Sequence, residues 1–329
     1  MWAFTQQLEL IRYLFVLRVQ RSLVWAPRPL VPEFSVVLGT QIAERLPARE
    51  AHPWRKALAA WEPALANWRK NNVFPEAPWP IQAVHFLHPT KRSFTAGEPL
   101  LWELKLMGES ADHGFFLEVI LPAVEAAGNT QDARWKDLSD LWGGFNIQSL
   151  YVAQGNRWTP LAEDGRLDLS RQVTPYQWAE ELPLHPPGMA VRDRLRWVTP
   201  FDFSNPSRRQ TRPTKRPSRQ ETPTLPGLLD ALMARVVELL PGRRRTVAEL
   251  WTELGAEEQE RFEEARHAAQ RIKPVKKKLQ RAAPGQPGRW IGEQKFQFIP
   301  PSMIPYLQLA SIFHVGQGVH FGCGTFVLR

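Results

Sequence analysis

The sequence predicts an α+β protein built as two sandwiches of helices on sheet. A strand–helix–strand order appears in both halves, and hydrophobic periods near 2 and near 3.6 alternate along the chain. The apolar content, 43% hydrophobic and 11% aromatic with 14 Trp in 329 residues, is enough for two cores. Proline, at 30 residues, is about twice its usual share, so the elements should be short and proline-bounded. No apolar run approaches the roughly 18 residues of a membrane span. The stretch Met1 to Gln20 carries Glu9, Arg12 and Arg18 without a small-residue cleavage pattern, which argues against secretion. The single cysteine, Cys323, excludes an intrachain disulfide and any cysteine-cluster metal site. A cytoplasmic protein without membrane partners is the expectation.

Taken in order, residues 10–19 (LIRYLFVLRV) read as an opening strand and 36–46 as a helix. Residues 54–70 read as a second helix, in which Trp54, Trp61 and Trp68 with Leu58 and Leu65 form one stripe and Pro63 introduces a kink. The stripe suits packing on the protein's own sheet, and a docking face is the alternative. Residues 100–107 (LLWELKLM) alternate as a strand, and 114–127 read as a helix capped by Gly128. Further strands are expected at 146–153 and 191–203. Residues 204–224 read as a loop or insertion, followed by helices at 225–240 and about 246–272 that Pro274 ends. A strand at 289–299, a short helix at about 302–313 and a glycine-rich ending complete the chain.

Charge is local. The chain carries 42 Lys+Arg against 33 Asp+Glu, a net of +9, and Arg208 to Arg281 holds 18 basic and 10 acidic residues, a net of +8. Arg208, Arg209, Arg212, Lys215 and Arg216 on the loop, and Arg271, Lys276, Lys277, Lys278 and Arg281 around the helix end, are therefore candidate phosphate contacts, with a solvated face as the alternative. At the C-terminus, Gly316, Gly318, Gly322 and Gly324 crowd into nine residues, a density that implies positive φ or close approach to a ligand. The segment lacks the Lys-Ser/Thr ending of a nucleotide P-loop, and its strand follows rather than precedes the glycines, which disfavours nucleotide hydrolysis. His85 and His88 lie in an extended segment that would turn their rings to opposite sides, so a metal site is not expected there. His267 reads as a solvated helix residue.

The ending His314-Val315-Gly316, then Phe321-Gly322-Cys323-Gly324 and a strand, resembles the C-terminal signature of the CRISPR-associated precursor-RNA-processing endoribonucleases of the RAMP superfamily. GEPLLWELKLMG (97–108) resembles the strand that opens the family's second domain, the helix at 114–128 follows in the expected place, and LRWVTPFDF (195–203) resembles its strand ending in Thr-Pro. The resemblance implies two tandem ferredoxin-like (RRM-like) domains, over residues 1–92 and 93–329, the second carrying a basic helical and loop insertion at about 204–285 and a glycine-rich loop at 314–324. It implies a cleft that binds a CRISPR repeat hairpin, and metal-independent cleavage in which the 2′-hydroxyl attacks the scissile phosphate to leave 2′,3′-cyclic phosphate and 5′-hydroxyl ends. No cofactor is expected, and the partners are precursor and mature CRISPR RNA together with other CRISPR effector subunits.

Such chemistry needs a base, an acid and a cation over the phosphate. His52 is the one histidine in the region where the family often places its base, and Tyr13 and Arg45 are the other catalytic candidates. His314, Gly316, Gly318 and His320 are candidate RNA contacts, against a structural role for the two histidines. A non-catalytic RNA-binding subunit with the same architecture, and a basic scaffold or DNA-binding protein, are the competing readings.

Overall fold

Strand β1 (Leu10–Val19) alternates as its sequence demands: Tyr13, Phe15, Leu17 and Val19 are buried, Arg12, Leu14 and Val16 half-buried and Arg18 exposed. In the computed structural model, which describes residues 5, 7–26, 30–61, 78–87, 93–163, 165–182, 192–204, 217, 221–242, 246–284 and 286–329, this strand is central to one of two compact units, Glu9–Glu181. The other unit is Met1–Leu8 with Leu182–Arg329.

In the first unit β1 pairs antiparallel with β5 (Pro99–Met107) on one side and β6 (Phe145–Gln154) on the other, setting Phe15 opposite Trp102 and Leu150. With β3 (Ala83–Leu87), β7 (Arg157–Glu163) and β8 (Arg166–Leu167) the sheet order is β3-β5-β1-β6-β7-β8, and short strands β2 (Val24–Trp25) and β4 (Ser93–Phe94) pair separately. Helix α1 (Leu30–Arg45) connects β1 towards β3 and is followed by α2 (Ala48–Ala59). The second crossover is composite: α3 (His113–Phe115), a π-helical turn Phe116–Ile120, and α4 (Leu121–Asn129), with short α5 (Ala133–Lys136) leading to β6. Strands β1, β3, β5 and β6 with the two crossovers give the β-α-β-β-α-β order of a ferredoxin-like fold.

Aromatic packing holds the layers together. Phe34 of α1 lies 4.8 Å from Trp102 and 5.3 Å from Trp142 between ring centroids, and the Trp142 indole N–H donates to buried Glu33 at 2.7 Å. Trp54, Leu58 and Trp61 are buried, as a core stripe should be, whereas Pro63, Leu65 and Trp68 lie outside the described residues. Gly128 allows α4 to approach β6: a Cβ there would come within 2.4 Å of the Phe145 carbonyl oxygen.

The second unit repeats the topology. Strands β9 (Arg194–Trp197), β10 (Pro274–Arg281), β11 (Trp290–Phe296) and β12 (Phe326–Leu328) lie in the order β10-β11-β9-β12. Helices α6 (Leu225–Leu239), α7 (Val247–Glu253) and α8 (Ala256–Gln270) fill the first crossover and α9 (Ile304–Phe313) the second. Leu228, Leu229, Leu232 and Val236 bury one face of α6, Phe262 of α8 meets Tyr306 of α9 edge-on, and Trp197 packs on Phe201 and Phe326.

Several boundaries differ from expectation. Residues 97–108 do not open a second domain: β5 is zipped to β1 from Leu10↔Met107 to Arg18↔Pro99, so the units part at 181/182 rather than at 92/93. The helix expected at 246–272 is two, α7 and α8, interrupted at Leu254-Gly255, where Gly255 takes an extended conformation as the N-cap of α8. Strand β9 is shorter than 191–203, because Val198 to Pro200 turn away before Phe201 bridges to Trp290. Residues 271–284 are not part of an insertion: Pro274 starts an edge strand, the position in a sheet where a missing N–H is tolerated, and the lysines after it belong to the β10–β11 hairpin. Gly128→Ala should lower stability by about 1–3 kcal/mol through overpacking, read as a lower urea midpoint with an unchanged denaturant slope.

Candidate active site and nucleic-acid interface

Tyr13 points from β1 to the helical side of the first sheet, where its ring stacks on Phe116 of the π-helical turn with centroids 3.5 Å apart and planes 4° from parallel. Its hydroxyl meets Nδ1 of His113 at 2.9 Å. Tyr13 is fully buried and His113 half-buried. Asp112, before His113, caps α3 by accepting the Phe115 N–H at 3.1 Å. Burial pushes the Tyr13 phenol far above its ordinary range, and the Asp112 charge pushes the same way. Burial also lowers the His113 pKa, while Asp112 opposes that shift, so the pair is held neutral.

This bears on one catalytic expectation, since Tyr13 is fully buried and not open to a substrate. His52 lies exposed on α2 and makes no hydrogen bond, ion pair or ring contact among the described residues. The exposed Arg45, at the end of α1, donates to the Pro122 carbonyl at 3.1 Å. No such contact joins any two of Tyr13, Arg45 and His52 among the described residues. His85 sits inside the core, edge-on to Trp79 and stacked on Trp102, and His88 lies outside the described residues. No group of three or more His, Cys, Asp and Glu able to hold a metal occurs among the described residues. No helix among them is long and apolar enough to cross a membrane. His113 itself escaped the sequence reading, and its one local signal was its place beside a helix-capping Asp.

The glycine-rich ending is a self-packed knot. Phe321 and Cys323 N–H both donate to the Gly318 carbonyl, Gly322 N–H to Val319, Gln317 N–H to Asp202 and Gly324 N–H to Pro200. Gly324, at φ +82°, is required, because a Cβ there would fall 1.9 Å from the Val315 carbonyl oxygen. His314 is buried at φ +60°, with Nδ1 2.9 Å from the Cys323 carbonyl, and His320 is buried edge-on to Phe321. Both histidines expected at RNA are thus internal to the knot, for the physical reason that their rings fill it. Gly316 and Gly318 remain exposed. Burial raises the Cys323 thiol pKa, and no redox or nucleophilic role follows for it.

The second sheet carries the charge. Register places Lys276, Lys295 and Arg194 in one cross-strand row and Lys278, Glu293, Arg196 and Val327 in the next, all on the face opposite buried Leu195, Trp197, Gln294 and Phe296. Lys276, Lys278, Arg194 and Arg196 are exposed. Asp193 takes Lys295 at 3.1 Å and Arg194 at 3.3 Å, contacts that hold its carboxyl below the ordinary range. Arg196, Lys276 and Lys278 pair with no carboxylate among the described residues. Lys277 and Arg281 fall on the other side of β10, and Arg271 lies exposed at the end of α8, so the expected run is divided rather than gathered. Arg208, Arg209, Arg212, Lys215 and Arg216 lie outside the described residues. Arg194, Arg196 and Lys295 were missed, although an Arg-x-Arg alternation is the signal of one strand face.

No protein-family model matches the sequence, and no curated protein matches it. Solved structures do: 98% of the chain aligns at a TM-score of 0.50 and 14% identity with a chain of a partial Cas6-RT-Cas1–Cas2 complex. The fold is similar to that of Cas6. This chain spans 46% of that Cas6-containing chain, and 29% of the chain matched in a second Cas6-RT-Cas1–Cas2 complex, again at 0.50 and 14% identity. Cas6 of Thermus thermophilus aligns over 98% of this chain and 99% of its own, with 14% identity and a TM-score of 0.43.

Gly324→Ala should destabilise the second unit by about 3 kcal/mol through overpacking at a left-handed position, measured by urea unfolding. A second expectation concerns pH. His113 in the folded chain sits below its ordinary value of 6.5, so the unfolded chain binds the proton more readily. Its contribution to stability is intact above that value and declines as pH falls through it. His113→Gln should flatten that part of the unfolding free energy profile between about pH 5 and 7.5.

Proposed function

We propose that the chain is a CRISPR RNA-processing endoribonuclease that binds a repeat hairpin and cuts precursor RNA without a metal. The observation that carries this reading is the exposed basic face of the second sheet, on a fold similar to that of Cas6. Arg194, Arg196, Lys276, Lys278 and Lys295 present cations at two-residue steps along neighbouring strands, an array suited to a phosphate backbone and able to release counterions. A stem would be recognised there by shape and backbone rather than by base edges. Arg271, Lys277, Arg281, Gly316, Gly318 and the basic residues from Arg208 to Arg216 are proposed as further RNA contacts.

In the proposed reaction the ribose 2′-oxygen loses its proton and attacks the adjacent phosphorus, forming the cyclic phosphate as the bond to the 5′-oxygen breaks and that oxygen gains a proton. A side-chain base, an acid and a cation suffice for these steps. Exposed His52 and Arg45 are the expected catalytic residues that solvent reaches. Proposed partners are CRISPR RNA and other Cas proteins, with a cytoplasmic setting. One observation favours the non-catalytic alternative, an RNA-binding subunit: Tyr13, Arg45 and His52 do not meet.

One assay separates the two. Incubated in EDTA with labelled repeat RNA from the cognate array, the full chain should give a single cut with a 2′,3′-cyclic phosphate end; tight binding with intact RNA would leave only the binding subunit. His52→Ala should abolish the cut if His52 is the base, and an unchanged rate removes it from the mechanism. Arg196→Ala, Lys276→Ala and Lys278→Ala combined should weaken binding to all sequences alike. The slope of log affinity against log salt should drop by about 2–3, at roughly 0.7–0.9 for each lost phosphate contact.

A further inference from the structure

The hydrogen-bond network around Tyr13 fixes the chemistry of His113. Tyr13 is fully buried, and its hydroxyl has one polar partner among the described residues, His113 Nδ1 at 2.9 Å. A buried hydroxyl left without an acceptor costs about 1–3 kcal/mol, so the Tyr13 O–H donates to Nδ1. Nδ1 is then bare in the neutral ring, and the ring proton sits on Nε2. That Nε2 makes no hydrogen bond among the described residues and is not among the buried unpartnered atoms, so it opens to solvent. Phe116 packs on the Tyr13 ring, and the π-helical turn that begins there fixes the approach of His113. Turns of this kind are frequent at functional sites.

We propose that the Tyr13–His113 pair presents the His113 Nε2–H, its tautomer set by Tyr13, as a hydrogen-bond donor to a phosphate oxygen of bound RNA. The inference rests on the RNA-processing reading above. It assigns His113 a role distinct from a general base, because a base needs a bare Nε2. The titratable groups that act on the ring are Tyr13 from β1 and Asp112 beside it, and Asp112 is occupied with the Phe115 N–H. A donor held in place before the substrate arrives needs no reorganisation as charge develops on the phosphate, and removing one such donor typically costs about 100-fold or more in rate.

The test has two arms. In the full-length protein, long-range 1H–15N correlation of the imidazoles should show His113 as the Nε2–H tautomer, and its Nε2 resonance should shift when repeat hairpin RNA binds. A 2′-deoxy substitution at the cleaved nucleotide keeps that RNA intact. An Nδ1–H tautomer, or an Nε2 resonance unmoved by bound RNA, overturns the proposal. In the second arm, His113→Ala should slow single-turnover cleavage about 100-fold. His113→Gln, whose amide N–H reaches a similar position, should stay within about tenfold of wild type. Equal loss in both variants, or loss in neither, overturns the donor role. Tyr13→Phe should yield a mixed tautomer spectrum and slower cleavage, a signature that simple loss of packing would not produce. If wild type binds RNA but does not cut it, the enzyme reading falls, and the resonance shift still decides the phosphate contact.

Discussion

The antiparallel pairing of β1 with both β5 and β6 is the constraint on which the first unit depends. It buries alternate residues of one strand between two neighbours, with Phe15 opposite Trp102 and Leu150, and so settles which face of the sheet receives α1 and the α3–α4 crossover. Once that register is fixed, Tyr13 must face the helices, because a shift of one residue would exchange every buried side chain for an exposed one. The burial of a phenol then requires an acceptor in an apolar layer, and His113 supplies it from 100 residues away. On the opposite face, Arg12 meets Glu103 at 2.7 Å and lies over the Trp158 ring at 5.0 Å, so the same strand satisfies polar groups on both sides.

The second unit uses the same topology to a different end. Central β9 buries Leu195 and Trp197 and leaves Arg194 and Arg196 outward, while the edge strand β10 adds Lys276 and Lys278 to that face. Lysines on an edge strand also discourage pairing with another chain. Like charges in adjacent rows repel, and Asp193 and Glu293 offset this in part, with close ion pairs to Arg194 and Lys295. The cations left without carboxylates would lose that repulsion on meeting a polyanion, which makes binding steeply sensitive to salt. The glycine knot at the end of the chain anchors the same sheet: Gly324 N–H on Pro200 and Gln317 N–H on Asp202 tie it to the segment that follows β9.

Much of this was legible in the sequence because it is local. Period-two runs marked β1, β5 and β11, a strand was expected near β6 and a helix at 225–240 where α6 lies, and glycine density correctly implied positive φ at the C-terminus. What escaped depends on pairing between distant residues. LLWELKLM announces a strand but not its partner, so β5 was assigned to a second domain when its register with β1 places it in the first. Lys276 to Lys278 read as a charge run after a helix, since an exposed edge strand has no apolar face to reveal it. The carbonyls of Gly318, Val319 and Gly324 take N–H groups within the knot, and no motif distinguishes that from a phosphate cradle. His113 was invisible for the same reason: its meaning lies in Tyr13, and nothing near residue 113 mentions it.

On the proposed reading, the two units divide the physical work of recognising a polyanion. Surface cations supply attraction that is long-ranged, tolerant of sequence and screened by salt, but each flexible side chain contributes little orientation. A neutral donor behaves in the opposite way. Held by a buried hydroxyl and flanked by stacked rings, the His113 imidazole adds almost nothing to attraction at a distance, yet its geometry is set before any ligand arrives. Neutrality is what makes this compatible with burial, since a charged imidazole in the same place would carry a desolvation cost that the nearby Asp112 only partly offsets. In these proposed roles, capture by charge asks for an exposed sheet face and orientation by the Tyr13–His113 pair asks for a covered phenol beside a half-buried ring, and each ferredoxin-like unit carries one of them.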